Sequence, residues 1–159
     1  MMGQANGRAA GGVPDPREEL EPVADVLREA GFYAYTTLDS ENRWSVACDT
    51  EEGHVDVRVG EDGYELEVWD TSPGLFMDEE NERRREAMER LARVSLPAIA
   101  RGFLEPNQEV WWEEAEHGVG VRLRYQLPFA LREDIGRIAK ERLAELNEVI
   151  SLVETRLVE

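Results

Sequence analysis

HVDVRVGEDGYELEVWD, residues 54–70, is two alternating runs around a turn. Val55, Val57 and Val59 alternate with His54, Asp56 and Arg58, and Tyr64, Leu66 and Val68 alternate with Glu65, Glu67 and Trp69. Successive side chains of a strand point to opposite faces, so each run buries one face and wets the other. Glu61-Asp62-Gly63 between them is turn chemistry, and runs joined this closely pair antiparallel. The stretch predicts a hairpin in an antiparallel sheet whose second face is polar.

The same pattern continues on both sides. FYAYTTL from Phe32 is aromatic and β-branched, and RWSVACD alternates Trp44, Val46 and Cys48 with small polar residues. Asp39–Asn42 and Glu51-Glu52-Gly53 separate these runs, which completes a four-strand meander. Further on, Gln108–Glu114 and Val119–Leu127 read as two more strands joined around His117-Gly118. In that hairpin Val110 and Trp112 are expected inward with Val121, Leu123 and Tyr125. Trp111 is expected outward, between Glu109, Glu113 and the arginines 122 and 124.

Three helical patterns flank the strands. Asp15 as cap, Pro16 at the first position and Gly31 as a stop frame a helix with the stripe Leu20, Val23, Ala24 and Leu27; Pro22 predicts an irregular first turn or two. A second helix is expected from about Asp78, with i,i+4 pairs Glu79–Arg83, Glu80–Arg84, Glu86–Arg90 and Glu89–Arg93. Its buried stripe is expected to be Met88, Leu91, Val94, Ala98 and Ile99, and Pro97 to kink or split it. From about Ala130 to Val158 the chain reads as one long helix. Its early stripe is Leu131, Ile135 and Ile138. The later one, Leu143, Leu146, Ile150, Val153 and Leu157, has the 3-4-3-4 spacing of a coiled-coil seam; an end so apolar is expected to pack either on this chain's own sheet or, as a homodimer contact, on a second copy.

The order α-β-β-β-β-α-β-β-α gives an α+β fold, an antiparallel sheet with helices over it. The domain is expected to span residues 15–159, after a flexible N-terminal tail over 1–14 whose sequence, MMGQANGRAAGGVP, lacks the apolar core of a signal peptide. The chain has 159 residues and a formal charge of −17, which disfavours direct nucleic-acid binding and anionic membranes and favours a partner protein with a basic surface. Cys48 is the only cysteine, so no intrachain disulfide forms, and a cytoplasmic location is expected.

No residues stand out as chemistry. His54 and His117 read as surface residues, with no CxxC or HxxxH spacing, so neither a metal nor another cofactor is expected. P-loop, GxGxxG, GxSxG and HExxH patterns are absent, and Glu113 and Glu114 point to opposite strand faces. Cys48 lies on an apolar face and reads as a buried thiol. The expectation is a non-enzyme. What is unusual is the wet sheet face: Trp69 and Trp111 fall out of phase with the apolar rows, and Tyr33 and Tyr35 can join them. These four are the candidate partner-binding residues. The alternative is a small-ligand-binding or catalytic domain that uses the Trp69/Trp111 face.

The element order resembles that of the YbjN family, which in turn is similar in fold to type III secretion chaperones. The nearest local likeness is VRLRYQLPFALREDIGRIAKERLAELNEVISLV, a strand leading through a break into an amphipathic helix. The resemblance covers about 15–158 and rests on order and pattern. It implies a non-enzymatic protein-binding module, chaperone-like or regulatory, acting in a stress response, and a dimer. The four-strand first segment departs from the three strands usual in the secretion chaperones.

Overall fold

The computed structural model describes residues 15–159. The tail expected over 1–14 lies outside them. Helix α1 (Pro16–Glu29) is followed by strands β1 (Ala34–Leu38), β2 (Trp44–Thr50), β3 (Gly53–Val59) and β4 (Gly63–Ser72). Then come α2 (Glu82–Phe103), β5 (Gln108–Glu113), β6 (Gly118–Pro128) and α3 (Ile135–Val158). Short 3-10 turns occupy Glu114–Glu116 and Phe129–Asp134.

The six strands form one sheet in the order β1-β2-β3-β4-β6-β5, and every neighbouring pair is antiparallel. The α+β reading and the α-β-β-β-β-α-β-β-α order are thus the observed ones. Register puts Val57 opposite Val46 and Leu66, and Val68 opposite Val55 and Leu123, which builds one apolar face. Tyr64, Leu66, Val68, Val121 and Leu123 are fully buried there. Helix α1 packs over β1–β3, α3 over β4 and β6, and α2 along the edge strand β5.

Local chemistry explains the helix ends. The Asp15 carboxylate accepts from the Arg17 amide, Pro16 sits in the first turn, and the buried stripe is Leu20, Val23, Ala24 and Leu27, as expected. Pro22 is the seventh of the fourteen residues of α1, and the helix continues through it without a break. Helix α2 begins later than expected, at Glu82, where Asn81 accepts from the Arg84 amide. It runs through Pro97 without dividing. The long C-terminal pattern also starts later, at Ile135, because the residues after Pro128 wind as a 3-10 turn.

Two expectations about faces are corrected. In α2 the buried residues are Glu89, Ala92 and Leu96, whereas Leu91 is 67% and Val94 76% exposed. In α3, Leu143, Leu146, Ile150 and Val153 are buried in this chain's own core, and Leu157 packs partly against it. Those side chains are therefore consumed by the chain's own sheet and are not an open seam for a second copy.

Candidate binding surfaces

The second sheet face carries the aromatic residues singled out from sequence, and register explains why. Trp69 lies opposite His54 on β3 and Arg122 on β6; Trp111 lies opposite Gly120; Tyr35 lies opposite Ala47. Trp69 stacks on the His54 ring at 4.2 Å and donates its indole N–H to Asp56 at 2.9 Å. His54 Nδ1 is 2.6 Å from Asp49, whose other oxygen accepts from the Tyr35 hydroxyl at 3.0 Å. Tyr33, 78% exposed, stands 6.0 Å from Tyr35 by ring centroids. Tyr35, Asp49, His54, Trp69 and Asp56 thus form one continuous chain across four strands.

Trp111 is covered differently. It lies over Gly120, where a Cβ would overlap its ring. Its indole N–H donates to Glu113 at 3.1 Å, and the Arg122 guanidinium sits 5.1 Å above the ring. Arg122 also holds Glu109 at 2.9 Å. Of the two arginines expected beside Trp111, only Arg122 is there; Arg124 reaches Glu67 instead.

Glu67 is the hub between the two Trp clusters. Arg58, Arg122 and Arg124 all lie within 3.4 Å of it, and its side chain is 13% exposed. Arg58 also holds Asp39 at 2.7 Å, and Arg43 holds Glu65 at 3.1 Å. Cross-strand opposite charges are the sheet's counterpart of helical i,i+4 pairs. Here they spread into a network over a face that carries no helix among the described residues.

The network sets the local protonation. The His54 contact holds the Asp49 carboxyl below the usual range; burial, the next largest effect, opposes it, and the Tyr35 hydroxyl adds to the lowering. The same contact raises the Tyr35 hydroxyl. Burial raises Asp56, and the Trp69 N–H only partly offsets this. Burial works against the Arg58 charge, but Asp39 and Glu67 outweigh it and raise its pKa. Burial also pushes the Cys48 thiol up to about 12, so it stays a neutral core group.

His117 has a definite role that sequence reading missed. It turns the chain in the left-handed region, φ 53°, and its backbone carbonyl accepts from Leu75 at 3.0 Å. Its Nδ1 lies 3.2 Å from both oxygens of the buried Glu89 on α2. Because Glu89 turns inward, Arg93 pairs with Glu114 at 2.6 Å rather than with Glu89. The other expected i,i+4 pairs of α2 are also not made; Arg84 reaches Glu79 instead. The two residues that reveal this arrangement are 28 apart in sequence, so no local signal carries it.

The outward side of α2 is also open to a partner. Ala87, Leu91, Val94 and Ala98 follow one another at 4-3-4 spacing, and all are exposed. Helix α2 holds six arginines against three glutamates, on a chain whose total charge is −17. No group of three or more metal-ligating side chains occurs among the described residues, and none of their helices is long and apolar enough to cross a membrane. Comparisons with protein-family models, with curated proteins and with solved structures found no match to this chain.

Proposed function

We propose that the chain is a non-enzymatic, YbjN-like protein-binding module of the cytoplasm, chaperone-like or regulatory in a stress response, that works as a homodimer joined at α2. The observation that carries this reading is the exposure of Leu91 and Val94, at 67% and 76%, on a helix whose opposite side is already packed. Exposed apolar stripes on a folded helix mark interaction surfaces. The stripe fits a second copy of itself. A two-fold axis crossing α2 between Leu91 and Val94 sets each Leu91 against the Val94 of the other copy and each Ala87 against the other Ala98. Such self-matching is what an isologous interface requires. Small alanines at the flanks let the helices approach closely.

The sheet network and the charge of −17 then face outward for a partner protein with a basic surface. A ligand platform on Trp69 and Trp111 is less well supported, since both indole N–H groups are already engaged by Asp56 and Glu113. Light scattering tests the reading. The full chain should run at twice 18.1 kDa, and Leu91→Glu at 18.1 kDa with unchanged circular dichroism. A wild-type chain that is monomeric up to millimolar concentration overturns it.

A further inference from the structure

At the end of the sheet remote from α2 the chain forms a cleft of about 720 Å³, more than twice the roughly 330 Å³ of either groove beside α2. Three segments enclose it: the end of α1 with Phe32 and Tyr33, the β2–β3 hairpin, and the middle of α3. Its floor is apolar, made by Phe32, Leu143 and Ala144. Its rim carries Asp49, Glu51 and Glu52 against Lys140, the only lysine of the chain, a local balance of −2. The carbonyl end of α1 adds partial negative charge at the same place.

Asp49 is held by His54 and Tyr35, but the other three charges are uncommitted. Ion pairs engage arginines along the sheet and on all three helices, yet Glu51, Glu52 and Lys140 form none among the described residues. The hairpin that carries the two glutamates is nevertheless held in place. Asn147 donates to the Glu52 carbonyl at 2.9 Å, and the Glu52 amide donates to the Thr50 hydroxyl at 3.0 Å. Gly53 lies so close to α3 that a Cβ would stand 3.0 Å from a Leu146 methyl. A hairpin backbone held in place before binding lowers the ordering cost of binding. Tyr33 at the mouth offers an exposed ring face, the surface on which a guanidinium stacks.

From this we infer that the cleft binds a segment of a partner protein in which an apolar side chain adjoins an arginine or lysine. The apolar side chain enters between Phe32 and Leu143, and the basic one meets Glu51 and Glu52. The overall negative field steers such a segment in. The inference deepens the protein-binding reading by naming the partner's chemistry, and it does not depend on the dimer, so the mass measurement above and the test below fail separately.

The probe is a fluorescein-labelled dodecapeptide of alternating leucine and arginine, titrated into the full chain and followed by anisotropy and amide chemical shifts. Binding should shift Gly31, Glu51, Glu52 and Lys140. A leucine–glutamate peptide and a glycine–arginine peptide should each bind at least tenfold more weakly. Glu51→Gln with Glu52→Gln should weaken the leucine–arginine peptide at least tenfold. Glu61→Gln with Asp62→Asn, an equal charge change on the exposed β3–β4 turn, should weaken it less than threefold. Absence of binding, equal weakening by the two double variants, or shifts confined to α2 or the sheet face overturn the inference.

Discussion

Helices α2 and α3 carry apolar seams of the same spacing and meet opposite fates. In α3 the seam Leu143, Leu146, Ile150 and Val153 closes against this chain's own sheet. In α2 the seam Ala87, Leu91, Val94 and Ala98 faces outward, and the helix docks through Glu89, Ala92 and Leu96. A heptad-like stripe states that a helix wants an apolar neighbour. It does not state whether that neighbour lies in the same chain. The difference is made by a group that periodicity scores as polar: Glu89, buried because His117 reaches it from a distant turn.

The comparison breaks most sharply under charge insertion. Ile150→Glu puts an unpaired carboxylate into the core and should cost about 3–5 kcal/mol, enough to unfold much of the protein at room temperature, in urea denaturation followed by circular dichroism. The same change on the other helix, Val94→Glu, should move stability by no more than about 0.5 kcal/mol while abolishing association. If both variants unfold alike, the assignment of the two faces is wrong.

The tie that orients α2 comes next. His117→Ala leaves the buried Glu89 carboxylate without its partner and should cost about 1–3 kcal/mol, read as a lower urea midpoint and faster amide exchange along α2. Replacing both, His117→Ala with Glu89→Leu, should recover most of that loss. A double variant no better than the single one contradicts the tie.

Comparable and smaller effects belong to the sheet face. Gly120→Ala should displace the Trp111 ring and cost about 1–3 kcal/mol, seen as a shifted Trp fluorescence maximum with little change in backbone signal. Asp56→Asn should have the least effect, and of opposite sign. Its carboxyl is raised by burial, so the folded state holds the proton more tightly than the unfolded one. The stability from that proton is present below the unfolded pKa and is lost as pH rises through the folded pKa. Asparagine keeps an acceptor for Trp69 without the charge, so the variant should be slightly more stable at neutral pH and lose part of its pH dependence. Asp49 works the other way. Its depressed carboxyl stabilises the fold above its unfolded pKa, and that contribution fades as pH falls through the lower folded value.

Strands were legible because alternation is local: Val55, Val57 and Val59 fell on the inner face, and Trp69 and Trp111 on the outer one, where period-two reading put them. The helices were legible as helices, less so in where two of them start and which side α2 buries. The expected inward stripe of α2 failed at Leu91 and Val94 because apolarity alone was counted. The glycine at 120 leaves room for the Trp111 ring, whereas the one at 118 marks a close approach of the Ser72 backbone. The arginine fork around Glu67 was partly readable too, since residues 58, 67 and 124 fall on one face once register is known. The cleft needed three segments far apart in sequence, and no single stretch announces it.

The central claim is that α2, and not α3, meets a second copy. A single exposed cysteine on each helix, joined by a short bis-maleimide, tests it directly, because Cys48 is fully buried and its thiol stays protonated. Val94→Cys should give a cross-linked dimer at micromolar protein, whereas Leu152→Cys, on the exposed side of α3, should remain a single chain on a denaturing gel. A cross-link through position 152 with none through position 94 would contradict the account.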